Sequence, residues 1–189
     1  KEAHKDIDRL SGAQVEVLSG DIVDMHLGLS GEEYARLCET VTDIFHLAAI
    51  SYLGVPREIA WKVNVDGTRN VLELAKDCAK LRRFNHFSTT YVAGDRVGVI
   101  AEDELDADQT FRNAYEETKY HAERLVKRAG ASFPVSIYRP SSVVGDSKTG
   151  EIDKIDGPYY FFTFLRKLRE ALPQWVPTIG IEGGRINIV

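Results

Sequence analysis

An α/β fold with a doubly wound parallel sheet is what the sequence predicts. Strand-length apolar runs alternate with helix-period stretches along the chain, and most connections between them have ordinary length. The size and composition agree, since 189 residues with 43% apolar content suffice for a single domain with one core.

The strand-like runs are Val15 to Leu18, Val41 to Ala49, Phe84 to Thr89 and Val135 to Tyr138. Val41 to Ala49 is nearly continuous in apolar residues, the pattern of a strand buried on both faces. The first helix is expected after Ser30, an N-cap with Glu33 three residues on, and Tyr34 and Leu37 supply its apolar side. Pro56 opens the second, which runs to about Cys78. Asn113 caps the third with Glu116 as its capping-box partner, and Gly130 ends it. The resulting order, β-α-β-α-β-α-β, requires parallel pairing with crossovers. Gly94 to Arg112 is a long acidic connection, and long connections in compact domains tend to lie near sites.

Charge excludes several function classes. Lys and Arg number 24 against 29 Asp and Glu, a net charge of −5 with no basic block, which argues against a nucleic-acid binder. Lys1 to Asp6 is charged, so no signal peptide begins there. The most apolar run, Tyr159 to Leu165, is far short of the ~20 residues that span a bilayer. Cys38 and Cys78 form no CxxC pair and read as two buried thiols of a reducing compartment, a single bridge being the alternative. The five histidines make no HxH or HxxxH pattern, so no metal is expected. These features together read as a cytoplasmic protein.

Several short constellations bear on chemistry. In Tyr115-Glu116-Glu117-Thr118-Lys119 the Tyr and Lys side chains share one helix face, a turn apart. An ammonium beside a phenol is expected to lower the phenol's pKa, and such a pair can exchange a proton with a carbonyl or alcohol oxygen. Chance alone supplies about 0.4 such pairs in a chain of this composition, so the motif is weak in isolation. Phe87-Ser88-Thr89-Thr90 places hydroxyls at a strand end, where ligands of open parallel sheets bind and where Thr89 can meet a substrate oxygen; the same hydroxyls equally satisfy backbone groups there. His46-Leu47-Ala48-Ala49 closes another strand with small residues that let a flat cofactor approach, His46 itself reading as a core or strand-end histidine. Asn64 and Gly67 are poor helix formers, which points to close packing or to a polar task for Asn64. Gly20-Asp21-Ile22 follows the first strand, with a carboxylate able to accept a hydrogen bond from a base amino group.

The ordered set Gly20-Asp21-Ile22, His46-Leu47-Ala48-Ala49, Asn64-Val65-Asp66-Gly67-Thr68, Ser88-Thr89, Tyr115-x-x-x-Lys119 and Tyr138-Arg139-Pro140 resembles the extended short-chain dehydrogenase/reductase superfamily, with its Rossmann-like fold. Leu27 to Tyr34, Ser88 to Gly94, Phe111 to Tyr115 and Gly145 to Glu151 narrow the resemblance to the thioester-reductase and fatty acyl-CoA reductase branch. Nucleotide-sugar epimerases and dehydratases usually carry Val-Tyr-Gly where this chain has Val92-Ala93-Gly94.

The resemblance implies roles. Tyr115 would donate the proton, Lys119 would tune it and hold the nicotinamide ribose, and Thr89 would polarise the substrate carbonyl. Asp21 and Ile22 would border the adenine, Ala48 and Ala49 would lie along the cofactor, and Asn64 would support the lysine. Pro140, Ser142 and Val143 would line the nicotinamide. The implied cofactor is NADP, with NAD as the alternative, and the implied substrate is an acyl thioester on coenzyme A or a carrier protein. The alternatives are a reductase, epimerase or dehydratase acting on a nucleotide sugar, steroid or small ketone, and a non-catalytic cofactor-sensing module.

The chain departs from the family in lacking the Gly-x-x-Gly-x-x-Gly turn after a first strand; its only glycine cluster, Gly180 to Gly184, has no strand-helix context. Because that strand is central and the next helix carries the pyrophosphate, residues 1–189 read as one partial domain lacking an N-terminal βαβ portion. They also lack a C-terminal end, since Ile186 to Val189 stops in a strand-like run. Residues 145–189 read as the beginning of the substrate-binding region. There Tyr159 to Phe162 either border an acyl channel or, as the simpler expectation, pack as an aromatic helix face in the core.

Overall fold

The structure is a computed structural model that describes residues 15–152 and 158–171. Three parallel strands lie in the order β1 (Asp43–His46), β2 (Arg83–Phe87) and β3 (Val135–Tyr138). Ile44 pairs with Phe84, and Phe84 with Val135, so equivalent positions of the three strands share a face. The ladder continues past the assigned ends: Ser88 N–H donates to Tyr138 O at 2.7 Å and Thr90 N–H to Pro140 O at 3.1 Å.

Helices connect the strands as the periodicity predicts. Before β1, α1 (Gly31–Thr40) starts in a full capping box, with the Ser30 hydroxyl accepting from Glu33 N–H and the Glu33 carboxylate accepting from Ser30 N–H. Between β1 and β2, α2 (Arg57–Trp61) passes through a π-turn (Lys62–Asp66) into α3 (Gly67–Asp77). Gly67 sits where that helix meets the segment after Gly20, and a Cβ there would fall 2.7 Å from Ile22 Cδ1. Between β2 and β3, α4 (Ala114–Ala129) is capped by Asn113, whose side chain accepts from Glu116 N–H. The return bond differs from the expected box, because the Glu116 carboxylate reaches back one residue further to accept from Arg112 N–H at 3.0 Å. The last described helix is α5 (Pro158–Ala171).

The core lies on one face of the sheet. Phe84, 0% exposed, packs with Val71, Leu72 and Ala75 of α3 and Val126 and Ala129 of α4; Ile44, Val135 and Ile137 complete the cluster. The other face carries Phe45, Phe87 and Tyr138, with the last two rings stacked at 5.1 Å between centroids.

Three expectations need correction. Val15 to Leu18 forms no strand, since a strand needs a ladder partner and this segment has none among the described residues; Val15 and Val17 are exposed. The Val41 to Ala49 run is not buried on both faces, for α3 and α4 cover only one side and leave Phe45 63% and Leu47 61% exposed. The aromatic run of α5 is not in the core either: Tyr160, Phe161, Phe162 and Phe164 are exposed, while the Tyr159 hydroxyl accepts from Gly145 N–H at 2.7 Å. Cys38 and Cys78 are free thiols, and burial raises the pKa of Cys78 to about 11. No helix among the described residues is long and apolar enough to cross a membrane. Gly180 to Gly184 and Ile186 to Val189 lie outside the described residues.

Candidate active site

The parallel register brings the carboxyl ends of all three strands to one edge of the sheet, and most of the singled-out residues follow those ends directly. Ala48 and Ala49 come after β1, Thr89 after β2, and Pro140, Ser142 and Val143 after β3. The first turns of α4, which carry Tyr115 and Lys119, pack against the turn that follows β2.

Burial raises the Tyr115 phenol above its ordinary value, and the Thr89 side chain opposes that only in part. The expectation that Lys119 lowers the phenol is therefore corrected. The Lys119 ammonium is turned to the sheet, where it donates to the Phe87 carbonyl at 2.6 Å. Desolvation brings the Lys119 pKa down to about 8, with the Glu123 carboxylate opposing the fall. A phenol held above its usual range keeps its proton at neutral pH and is a donor rather than a base.

Asn64 is 1% exposed on the π-turn. Its amide accepts from Ile50 N–H at 2.8 Å and donates to Ile50 O and to Thr118 Oγ1, each at 3.0 Å. It thus ties the loop after β1 to α4 at the residue before Lys119, which accounts for a polar residue costly to a helix.

His46 is a buried strand-end histidine. Thr68 Oγ1 donates to Asn64 O at 2.7 Å, which uses its single proton, so at 2.8 Å it accepts from His46 Nε2–H. Next to it His86 is 0% exposed with neither ring nitrogen hydrogen-bonded. Burial and then the Lys119 charge depress both imidazoles, His46 to about 4 and His86 well below its ordinary value.

Asp21 and Ile22 lie along the start of α3. Asp21 is exposed and its carboxylate accepts from Val23 N–H at 3.0 Å, while Ile22 O accepts from Asn70 Nδ2 at 2.8 Å. Beyond β3, the hydroxyls of Ser142 and Tyr91 lie 3.3 Å apart and Val143 is exposed. The long acidic connection packs beside the site: Gln109 Nε2 donates to Val92 O at 2.9 Å, and Gly98 and Ile100 help wall a cleft of about 950 Å³ with Phe87, Thr90 and Pro140. Thr89, Tyr115 and Lys119 are not among its walls, so the cleft flanks the reactive group rather than enclosing it.

Glu123 and Ser88 escaped the sequence reading as a pair. Ser88 Oγ donates to Glu123 Oε2 at 2.5 Å, and Arg139 donates to the same carboxylate through Nη2 at 2.6 Å and Nε at 3.1 Å. The available signal was a carboxylate four residues after Lys119, between apolar Ala122 and Val126 on a helix.

Comparison with known proteins agrees with this arrangement. The chain is 28% identical over 173 residues to the fatty acyl-CoA reductase wat of Drosophila melanogaster, covering 77% of this chain and 34% of that protein. It is similar to the crystal structure of the terminal R domain from the myxalamid PKS-NRPS biosynthetic pathway, with 33% identity and a TM-score of 0.73 over 80% of this chain and 39% of that one. A UDP-glucuronic acid 4-epimerase from Bacillus cereus, in complex with NAD, aligns with 28% identity and a TM-score of 0.54 over 65% of this chain and 38% of that one. The chain thus spans little more than a third of the length of these relatives. Residues 1–187 match the sequence profile of the NAD-binding family described as Male sterility protein, and the chain belongs to that family.

Proposed function

We propose that this chain forms part of an NADPH-dependent reductase of acyl thioesters, carried on coenzyme A or on a carrier protein, working in the cytoplasm. The observation that carries the reading is Lys119, which donates to the Phe87 carbonyl at the carboxyl end of β2, with Tyr115 one turn before it on the same helix and Thr89 acting on the phenol. A fatty acyl-CoA reductase and a terminal R domain among its relatives support the substrate class.

Thr89 hydrogen-bonds the thioester carbonyl oxygen and orients it. Tyr115, protonated at neutral pH, gives its proton to that oxygen as negative charge develops there; when the C–S bond then breaks, the hydroxyl proton passes to the departing sulfur, releasing an aldehyde and a thiol. Lys119 returns a proton to the phenol and reaches the nicotinamide ribose. The exposed, small Ala48 and Ala49 let a dinucleotide lie against the end of β1, and Asn64 holds the neighbouring Ile50 backbone in place. Asp21 and Ile22 border the adenine, and Pro140, Ser142 and Val143 line the nicotinamide. The residues present suit a nicotinamide dinucleotide, which supplies the hydride when bound. We take NADPH over NADH on the family resemblance, and residues 145–189 as the start of the substrate-binding region.

A second reading, an epimerase or dehydratase of nucleotide sugars, draws on the epimerase likeness. Ala93 is the residue that weighs against it, standing where those enzymes usually carry tyrosine. NADPH consumption by the full-length protein, offered long-chain acyl-CoA, tests the proposal. Tyr115→Phe is expected to lower kcat about a thousandfold while leaving NADPH binding unchanged. Consumption of NADPH equal in wild type and Tyr115→Phe would overturn the proton-donor role. NADPH binding without turnover of any thioester would favour a cofactor-sensing module.

A further inference from the structure

Successive turns of α4 grip successive residues of the β2 terminus. Thr89 acts on the Tyr115 phenol, Lys119 donates to the Phe87 carbonyl, and Glu123 accepts from the Ser88 hydroxyl. These three side chains recur every four residues and therefore occupy one helix face. Two have a chemical role in the proposed reaction. The third, Glu123, is 1% exposed and sits with Arg139 at the base of the flanking cleft.

Its surroundings are those of a fixed charge. Arg139 Nη2 and Nε both donate to the carboxylate, and the guanidinium is itself largely buried. Arg139 and Ser88 lie on the same sheet face as Phe84 and Ile137, the face that α4 covers. One carboxylate thus joins α4 to the carboxyl ends of both β2 and β3, immediately before Thr89 and Pro140. A buried ion pair contributes little net stability once desolvation is counted, so stability alone does not account for placing it at this junction.

We propose that Glu123 is a positioning residue for the reaction: through Ser88 and Arg139 it fixes Thr89 and the nicotinamide-lining segment against α4, and its carboxylate supplies the negative charge beside Lys119. The inference rests on the reductase reading only for its effect on turnover. The titratable groups that bear on Lys119 are His46 of β1, His86 of β2 and Glu123 of its own helix. Both histidines are neutral near pH 7, which leaves Glu123 as the anion that stabilises the ammonium.

The test uses the full-length protein, with two readouts and three variants. In Glu123→Gln, the Lys119 titration midpoint, followed by 13Cε lysine NMR with Lys119→Arg for assignment, is expected to fall by about one pH unit. The alkaline limb of kcat for acyl-CoA reduction is expected to move with it, and kcat at its optimum to drop about 10- to 100-fold. Ser88→Ala keeps the charge, so it is expected to lower kcat about 10-fold with the midpoint in place. Glu123→Gln paired with Arg139→Gln removes the ion pair without stranding a buried guanidinium and is expected to reproduce the midpoint shift in a folded protein. An unmoved midpoint in the folded double variant, or wild-type kcat in Glu123→Gln, would overturn the proposal. A shifted midpoint in a protein whose wild type reduces no thioester would overturn the reductase reading and leave the electrostatic role of Glu123 standing.

Discussion

The two faces of the sheet are built from the same strands and have opposite character. On the covered face Ile44, Phe84, Val135 and Ile137 meet α3 and α4, and the buried polar residues His46, His86, Ser88 and Glu123 lie among or beside them. On the other face Phe45 and Tyr138 are exposed among the described residues, and Asn85 is satisfied within the sheet by Tyr138 Oη and Ile44 O, both at 3.3 Å. The difference teaches where the reactive group obtains its rigidity. Among the described residues, the groups that bear on Lys119 are His46 and His86 of the covered face, Glu123 of its own helix and the Phe87 carbonyl.

Substitutions on either side sharpen that contrast. Phe84→Ala empties the centre of the covered face and is expected to destabilise by about 4 kcal/mol, read as a lower denaturation midpoint; a loss below about 1 kcal/mol would show that the two faces are energetically alike. Asn64→Ala leaves the half-buried Ile50 N–H and C=O without their side-chain partner and is expected to cost about 2 kcal/mol in the same measurement. Acidification probes the imidazoles. His46 has a folded pKa of about 4 against an ordinary 6.5, so below pH 6.5 the unfolded chain binds a proton that the native state excludes. Its contribution is intact above pH 6.5 and falls as pH drops toward 4, with a loss of about 2 kcal/mol by pH 5. Denaturant titrations at pH 7 and pH 5 should show that slope, and His46→Gln, which keeps a donor for Thr68, should reduce it. Phe45→Thr, on the open face, is expected to change stability by less than about 0.5 kcal/mol; a loss approaching that of Phe84→Ala would mean that the open face is covered.

Much of this arrangement is legible before any coordinates. Asn113, Gly130 and the Ser30–Glu33 box mark helix ends because capping is a local exchange of hydrogen bonds, and β3 runs from Val135 to Tyr138 as its apolar pattern indicates. Tyr115 and Lys119 share a face because helix geometry alone requires it. What stays hidden depends on neighbours distant in sequence. The direction of the Tyr115 shift is set by burial against the sheet. The direction of the Lys119 amine is set by the Phe87 carbonyl. Glu123 looks like one acidic residue among many until Ser88 and Arg139 arrive beside it from two other strands. Val15 to Leu18 has strand composition, yet composition supplies no partner to pair with.

The π-turn at Lys62–Asp66 gives its stretch of chain something like a reading frame. A helix closing wider rings there carries one residue more than an uninterrupted α-helix over the same rise. Each residue of an α-helix advances it by about 100° and 1.5 Å; the wide turn absorbs the surplus residue, so α2 on one side and α3 on the other keep the phase of one continuous helix. With that phase, Ala60 is buried at one end and Thr68, Val71 and Leu72 are buried at the other, while Asn64 points to Ile50 and Thr118 between them. A substitution in this stretch alters one contact. A single deletion within the turn would close it into an uninterrupted α-helix over the same rise, leaving α2 and α3 in place and removing the wide turn that aims Asn64 at Ile50 and Thr118.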